Sequence, residues 1–348
     1  MKKIFFGLLL MSLSQSSLCS YDKNLTLNFL DKLHDTVNRH PKDMATFERF
    51  VDELRRYKIV FVPGWFGGLG KLVFERNFRE QTHWLKSKLH FIPGEDYAIA
   101  PINTFSSTKK NALTLKKFIE ASNRQVIIIT HSKGGIDTIE ALVAYPELQK
   151  KVRGIITFQT PFKGTPIADR FNARLFTKII AGSSLPIINV SPEERTEFID
   201  NNKEALRALL EKIPMINLVG WLEDTPLANQ IAEYTFCGND KDKIDDGLSA
   251  IFPPQSIARR QLNGRFFSGI IKTIALMLAS HGYALNDFII PKESQRLLNA
   301  HYVELPGIDH FSLIMTSYHN HVDKIRTTIY LLQILLEIRD QSNENQWK

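Results

Sequence analysis

Apolar positions change their spacing near residue 57, and that change divides the chain. Before it, Phe29, Leu30, Leu33 and Val37, then Phe47, Phe50 and Leu54, recur mostly at three- and four-residue steps, the period of a helix with one buried face. Pro41 separates the two pieces, so residues 20–56 read as an N-terminal helical extension packed on a larger unit. After Tyr57 the apolar positions come as short runs: Lys58–Val62, Tyr97–Ala100, Gln125–Thr130 and Val152–Phe158. Helical patterns lie between them, from Asn111 to Ser122 and from Ile136 to Tyr145. Strands of this kind alternating with helices predict an α/β protein, its central sheet mostly parallel and covered by helices on both faces.

The second half is less regular. Ser191-Pro192-Glu193-Glu194 is a helix start signal, and the helix it opens runs to about Lys212. Residues 170–230 lie between candidate strands and read as an inserted helical cap, with the next strand at Glu233–Cys237. Residues 266–285 are strongly apolar, but Lys272 interrupts them, which argues against a membrane span. Ala300–Leu305 is a last strand and Val322–Asp340 a closing amphipathic helix, giving a main domain over 57–345.

The first residues change the expected location. Met1-Lys2-Lys3 is a short basic start, Ile4 to Leu13 an apolar stretch too short to span a bilayer, and Ser17-Leu18-Cys19 presents small residues where a signal peptidase reads. Residues 1–19 are therefore expected to be a signal peptide, with the mature protein secreted or periplasmic. Leu18 is a poor residue to precede a lipidated cysteine. Removing this segment takes away Lys2 and Lys3 and no acid, so the net charge falls from +7 to +5. No dense basic cluster interleaved with aromatics is present, so nucleic acid is not an expected partner. Cys237 would be the only cysteine left, which leaves no internal disulfide, and a chain of this length can bury a core without one.

The chemistry concentrates around Ser132. Thr130-His131-Ser132-Lys133-Gly134-Gly135 follows an Ile-rich strand and opens a helix, the context of a nucleophile elbow. A serine on a tight turn there projects its hydroxyl above the sheet edge. Residues two before and two after must be small; Gly134 meets the demand, and Thr130 is larger than the usual Gly or Ala. The helix N-terminus aims N–H groups at a developing oxyanion, so Lys133 is expected to act through its backbone, with a solvated side chain. A Ser–Lys pair is the alternative use of that lysine. A second oxyanion donor is expected after an early strand. Val62-Pro63-Gly64-Trp65-Phe66-Gly67-Gly68 supplies the loop, and Trp65 its N–H.

Taken in order, the Pro63–Gly67 loop, His131-Ser132-Lys133-Gly134-Gly135, Thr160-Pro161-Phe162-Lys163-Gly164-Thr165-Pro166-Ile167-Ala168-Asp169, Asp246-Gly247-Leu248 and Gly307-Ile308-Asp309-His310-Phe311 resemble the bacterial triacylglycerol lipases of the α/β-hydrolase superfamily over roughly residues 57 to 315. The resemblance implies the α/β-hydrolase fold with Ser132, His310 and Asp246 as the catalytic residues. It further implies Trp65 and Lys133 at the oxyanion and Trp65, Phe66 and Phe162 at the substrate. His310 follows a strand and the Pro306-Gly307 turn, where the base belongs in the order Ser…Asp…His; His301, His319 and His321 are its rivals. Asp240, Asp242, Asp245 and Asp246 crowd one loop, where the family's Asp-Gly-Leu pattern selects Asp246, with Asp245 second. Asp309 adjoins His310, and adjacent side chains on an extended loop point apart. Some lipases of this group hold calcium through an aspartate shortly after the histidine. Ser312 stands there instead, so no metal and no cofactor are expected.

The expected function is a secreted serine esterase or lipase that cleaves carboxylic, especially lipid, esters through an acyl-enzyme, in transient contact with a lipid interface. A phospholipase or acyltransferase on the same fold is the alternative, and a non-catalytic hydrolase-like binding protein a further one.

Overall fold

The computed structural model describes residues 23–38, 44–64, 77–103, 106–166, 199, 201–221, 278–279, 282–314 and 323–345. Six strands form one parallel sheet: β1 (Lys58–Val62), β2 (Tyr97–Ile99), β3 (Val126–His131), β4 (Val152–Phe158), β5 (Met215–Trp221) and β6 (His301–Pro306), in the order β2-β1-β3-β4-β5-β6. Parallel neighbours need long crossovers, and among the described residues α-helices lie in each connection from β1 to β5. The described helices are α1 (Thr26–Asn38), α2 (Met44–Leu54), α3 (Arg79–Lys88), α4 (Thr108–Glu120), α5 (Lys133–Ala144), α6 (Lys203–Lys212) and α7 (Lys324–Asn345).

Why the strands read as unbroken apolar runs follows from this layering. Successive side chains point to opposite faces, and both faces are covered. Val60, Val62, Ile128, Ile155 and Met215 pack beneath Leu115 and Ile119 of α4, Ile136 and Ile139 of α5 and Leu209 of α6. Ile59, Phe61, Ile127, Ile129, Ile156 and Leu218 pack on the other side against Phe29 of α1, Leu54 of α2, Leu85 of α3 and Leu331 and Leu335 of α7. Each fully buried side chain of this size is worth about 1.5–3 kcal/mol. Gly154 lets α7 approach the sheet, since a Cβ there would lie 2.6 Å from Leu335 Cδ2.

The N-terminal segment closes an exposed edge. Leu25 N–H donates to Tyr302 O and Tyr302 N–H to Lys23 O, both at 2.8 Å, so residues 23–25 cover β6 before α1 begins. Further along, Arg339 of α7 holds Glu53 of α2 at 3.0 Å and the Tyr57 hydroxyl at 2.6 Å.

The stretch read as a cap insert needs correction at its C-terminal end. Residues 203–212 are the crossover helix α6, and 215–221 form β5 between β4 and β6. Asn217 and Gly220 disguise this strand in the sequence. Asn217 is tolerated inside the sheet because its Nδ2 donates to Thr157 Oγ1 at 3.0 Å and its Oδ1 accepts Leu297 N–H at 2.9 Å. The N-terminal segment 1–19, the Ser191 helix start, the Glu233–Cys237 strand and most of 266–285 lie outside the described residues. Among the described residues no helix is long and apolar enough to cross a membrane.

Candidate active site

Ser132 and His310 follow the C-terminal ends of β3 and β6, where the crevice of an open parallel sheet lies. Ser132 ends β3 and caps α5 with φ 51° and ψ −130°. Positive φ is costly for a side chain with a Cβ and persists only when the surroundings over-determine it. Ser132 N–H donates to Phe158 O at 2.9 Å, and Ser132 O accepts Gly135 N–H at 3.0 Å. The end of β1 presses on the same turn. A Cβ on Gly134 would lie 2.5 Å from Val62 O, and one on Gly64 would lie 2.6 Å from Ser132 Cβ. The demand for a small residue after the serine thus comes from Val62 and Pro63. Thr130 sits fully buried within the sheet, and its size is accommodated there.

His310 stands after the Gly307 turn and is buried. Its Nε2 lies 3.0 Å from Ser132 Oγ, and its Nδ1 lies 2.9 Å from Asp287 Oδ2. An ionised carboxylate only accepts, so Nδ1 carries the proton and Nε2 is left as an acceptor toward the serine. The histidine loop is tied down further by His310 N–H on Asp287 O at 3.2 Å and by His131 Nε2–H on His310 O at 2.7 Å. Burial, and then the neighbouring His310, push His131 well below the ordinary histidine range, so it serves as a neutral donor.

Asp287 belongs to the segment between β5 and β6 and is completely buried. Its Oδ1 accepts Ile289 N–H at 3.0 Å and Ile290 N–H at 2.6 Å; its Oδ2 accepts Gln159 Nε2–H at 3.0 Å and Gln295 Nε2–H at 3.3 Å as well as His310. The Thr160–Thr165 stretch seats this segment: Lys163 N–H donates to Ser294 Oγ at 3.2 Å, and Thr165 Oγ1–H donates to Ile289 O. Phe162 is buried in the core on the α4–α5–α6 face.

The sequence-predicted residues fare unevenly. Ser132 and His310 are brought together. Asp246, Asp245, Trp65 and Phe66 lie outside the described residues, and the carboxylate that meets His310 is Asp287, which the sequence reading passed over. A signal was there: Asp287 is a lone acid set against Phe288-Ile289-Ile290-Pro291, a context that buries a carboxylate. Asp309 turns away, as expected, and accepts Phe311 N–H at 2.7 Å, while Ser312 Oγ accepts Asp309 N–H at 3.1 Å. Gln159 and Gln295 carried no sequence signal.

The Lys133 side chain is buried and not solvated. Its Nζ meets both Asp137 oxygens, at 2.7 and 2.8 Å, and Asn111 Nδ2 of α4 donates to the same carboxylate at 2.7 Å. The i,i+4 spacing on α5 permits the pair, and its burial makes it costly to break one-sidedly. Asp137→Ala is expected to destabilise the protein by about 3–5 kcal/mol, read by denaturant unfolding. Replacing both charges by apolar residues of similar size should cost much less.

The PGAP1-like alpha/beta domain family matches residues 97–234, less than half of the chain. Among solved structures, the metagenomic carboxyl esterase MGS0156 superposes with a TM-score of 0.53 at 19% identity, covering 81% of this chain and 76% of that one. The mature Bacillus licheniformis lipase BlEst2 gives 0.49 at 20% identity, covering 80% and 92%. The fold is that of the α/β hydrolases. Its expected parallel sheet, with helices on both faces, is the one observed. No curated protein sequence matches this chain. On this α/β-hydrolase fold the residues gathered around His310 run Ser132, Asp287, His310 in chain order.

Proposed function

We propose that this α/β hydrolase is an exported serine esterase or lipase, in which Ser132 attacks carboxylic esters, His310 moves the proton and Asp287 orients the imidazole. The observation that carries the reading is the buried relay from Ser132 Oγ through His310 to Asp287, at 3.0 and 2.9 Å. His310 Nε2 accepts the serine proton as Oγ bonds to the ester carbonyl carbon. Asp287 stays ionised and stabilises the imidazolium. The charge developing on the carbonyl oxygen meets the N-terminus of α5, where Lys133 supplies the first N–H, with Trp65 N–H as the second donor. The imidazolium then protonates the departing alcohol. A water, deprotonated by the same nitrogen, releases the acid and restores Ser132. No step calls for a metal or cofactor.

Two finer clauses rest on sequence. Export rests on residues 1–19, and a lipid substrate rests on the lipase-like motifs and the apolar run at 266–285. A panel of p-nitrophenyl esters from acetate to palmitate, assayed with the full chain, tests the substrate class. The expected outcome is turnover with kcat/KM rising from acetate to medium-chain esters. A flat or falling series removes the lipid clause, and no hydrolysis of any ester overturns the proposal.

A further inference from the structure

Asp287 has more donors than it needs for its place against His310, and two of them come from glutamines, Gln159 distant in sequence and Gln295 in the same segment as the aspartate. Gln159 follows β4 in a left-handed conformation, φ 48°, that a side chain with a Cβ seldom adopts. It is fully buried, and its Nε2 forks to Asp287 Oδ2 and to the carbonyl of Asp309, both at 3.0 Å. One amide therefore ties the aspartate segment to the histidine loop, touching the residue just before His310. Room for it is kept by Gly220 of β5, where a Cβ would lie 2.8 Å from that Nε2. Gln295 reaches the same carboxylate oxygen. It is locked by a two-way pairing with the Gly220 backbone, accepting its N–H and donating to its carbonyl, both at 2.8 Å, and reaches Asp287 Oδ2 at 3.3 Å.

Resting on the reading of Ser132, His310 and Asp287 as the reacting relay, we propose that Gln159 and Gln295 are positioning residues that set both the orientation and the basicity of Asp287, with Gln159 as the joint between acid and base. A backbone strained at Gln159 and a glycine kept at 220 are hard to account for by packing alone, since an apolar side chain would fill the same space without an amide to satisfy. The chemical consequence is specific. Each N–H donated to Oδ2 draws charge away from the bond to His310 Nδ1–H. Removing one leaves more of that charge for the imidazolium, which is stabilised, while the carboxylate is held less firmly.

The titratable groups that the described residues bring to His310 are Asp287, Asp309 on its own loop, and His131 at the end of β3. His131 stays neutral, and burial raises the Asp309 carboxyl above the ordinary range. Gln159 touches both Asp287 and the Asp309 backbone, whereas Gln295 touches Asp287 and not Asp309. The pair of variants therefore separates the two.

The test is the pH dependence of kcat/KM for an ester of the panel, and of inactivation by a fluorophosphonate, in the full chain and in Gln159→Met and Gln295→Met. The acid-limb midpoint does not depend on how much of the variant is folded. Both variants are expected to move it upward, Gln159→Met by about half a unit to one unit and Gln295→Met by less, because its bond is longer. The kcat of Gln159→Met should fall by up to about 10²-fold with KM little changed. An unmoved or lowered midpoint in both overturns the proposal, even if kcat falls, because a merely structural role would lower activity without moving the limb. A shift in Gln159→Met alone also overturns it, assigning the effect to Asp309. If Gln159→Met is not recovered folded, the midpoint of Gln295→Met decides. Failure of the wild-type chain to react at all would instead remove the functional reading, and this inference with it.

Discussion

Asp287→Asn is expected to lower kcat on a carboxylic ester by about 10⁴-fold, with KM nearly unchanged and the fold retained. The hydrogen bonds already present dictate the size of the effect. Asp287 Oδ1 takes the N–H groups of Ile289 and Ile290, and Oδ2 takes His310 Nδ1–H. An asparagine can keep its oxygen on the two backbone donors only by turning its NH₂ toward Nδ1. The imidazole must then carry its proton on Nε2, facing the serine as a donor and unable to accept. Flipping the amide restores the histidine but sets NH₂ against two buried N–H groups. Neither arrangement leaves a working base. Asp246→Asn, by contrast, should leave kcat near the wild-type value, and steady-state kinetics on the two variants assign the acid.

Ser132→Ala is expected to be costlier still, by about 10⁶-fold in kcat, bringing turnover close to the background of the assay. Losing the nucleophile removes the acyl-enzyme route altogether, and tuning of His310 cannot compensate. Stability should change little. Among the described residues the Oγ makes one bond, to His310, and alanine has the same Cβ in the same left-handed turn, with the backbone bonds to Phe158 and Gly135 intact. Thermal unfolding of the variant checks that the loss is chemical and not structural.

Much of the architecture was legible because a parallel sheet covered on both faces leaves a strong mark. Runs such as Ile127-Ile128-Ile129 can hardly be anything but buried strand, and they locate β1, β3 and β4 within a residue or so. The strand-turn-helix at Ser132 and the Pro-Gly turn before His310 were legible for a similar reason, since tight turns demand particular residue types. Strand β5 was not, because Asn217 breaks its pattern. Its polar atoms are satisfied by Thr157 and the Leu297 backbone, partners that only the folded chain supplies. Asp287 was missed for a related reason. Motif spacing favoured an acid cluster in a polar loop, while burial and five donors favour an acid alone among Phe288, Ile289 and Ile290. Lys133 went wrong the same way: a charged residue beside a nucleophile reads as solvated until Asp137 and Asn111 are found against it. In each case the missing information was a tertiary hydrogen bond.

The central claim is that Ser132 is a nucleophile activated by His310 and oriented by Asp287. Treatment of the full chain with a fluorophosphonate, followed by mass mapping of the adduct, measures this most directly. The account predicts a single covalent adduct on Ser132, absent in Ser132→Ala, formed far more slowly in Asp287→Asn and at the wild-type rate in Asp246→Asn. No adduct, an adduct on another residue, or slowing by the Asp246 substitution and not by the Asp287 one would contradict it.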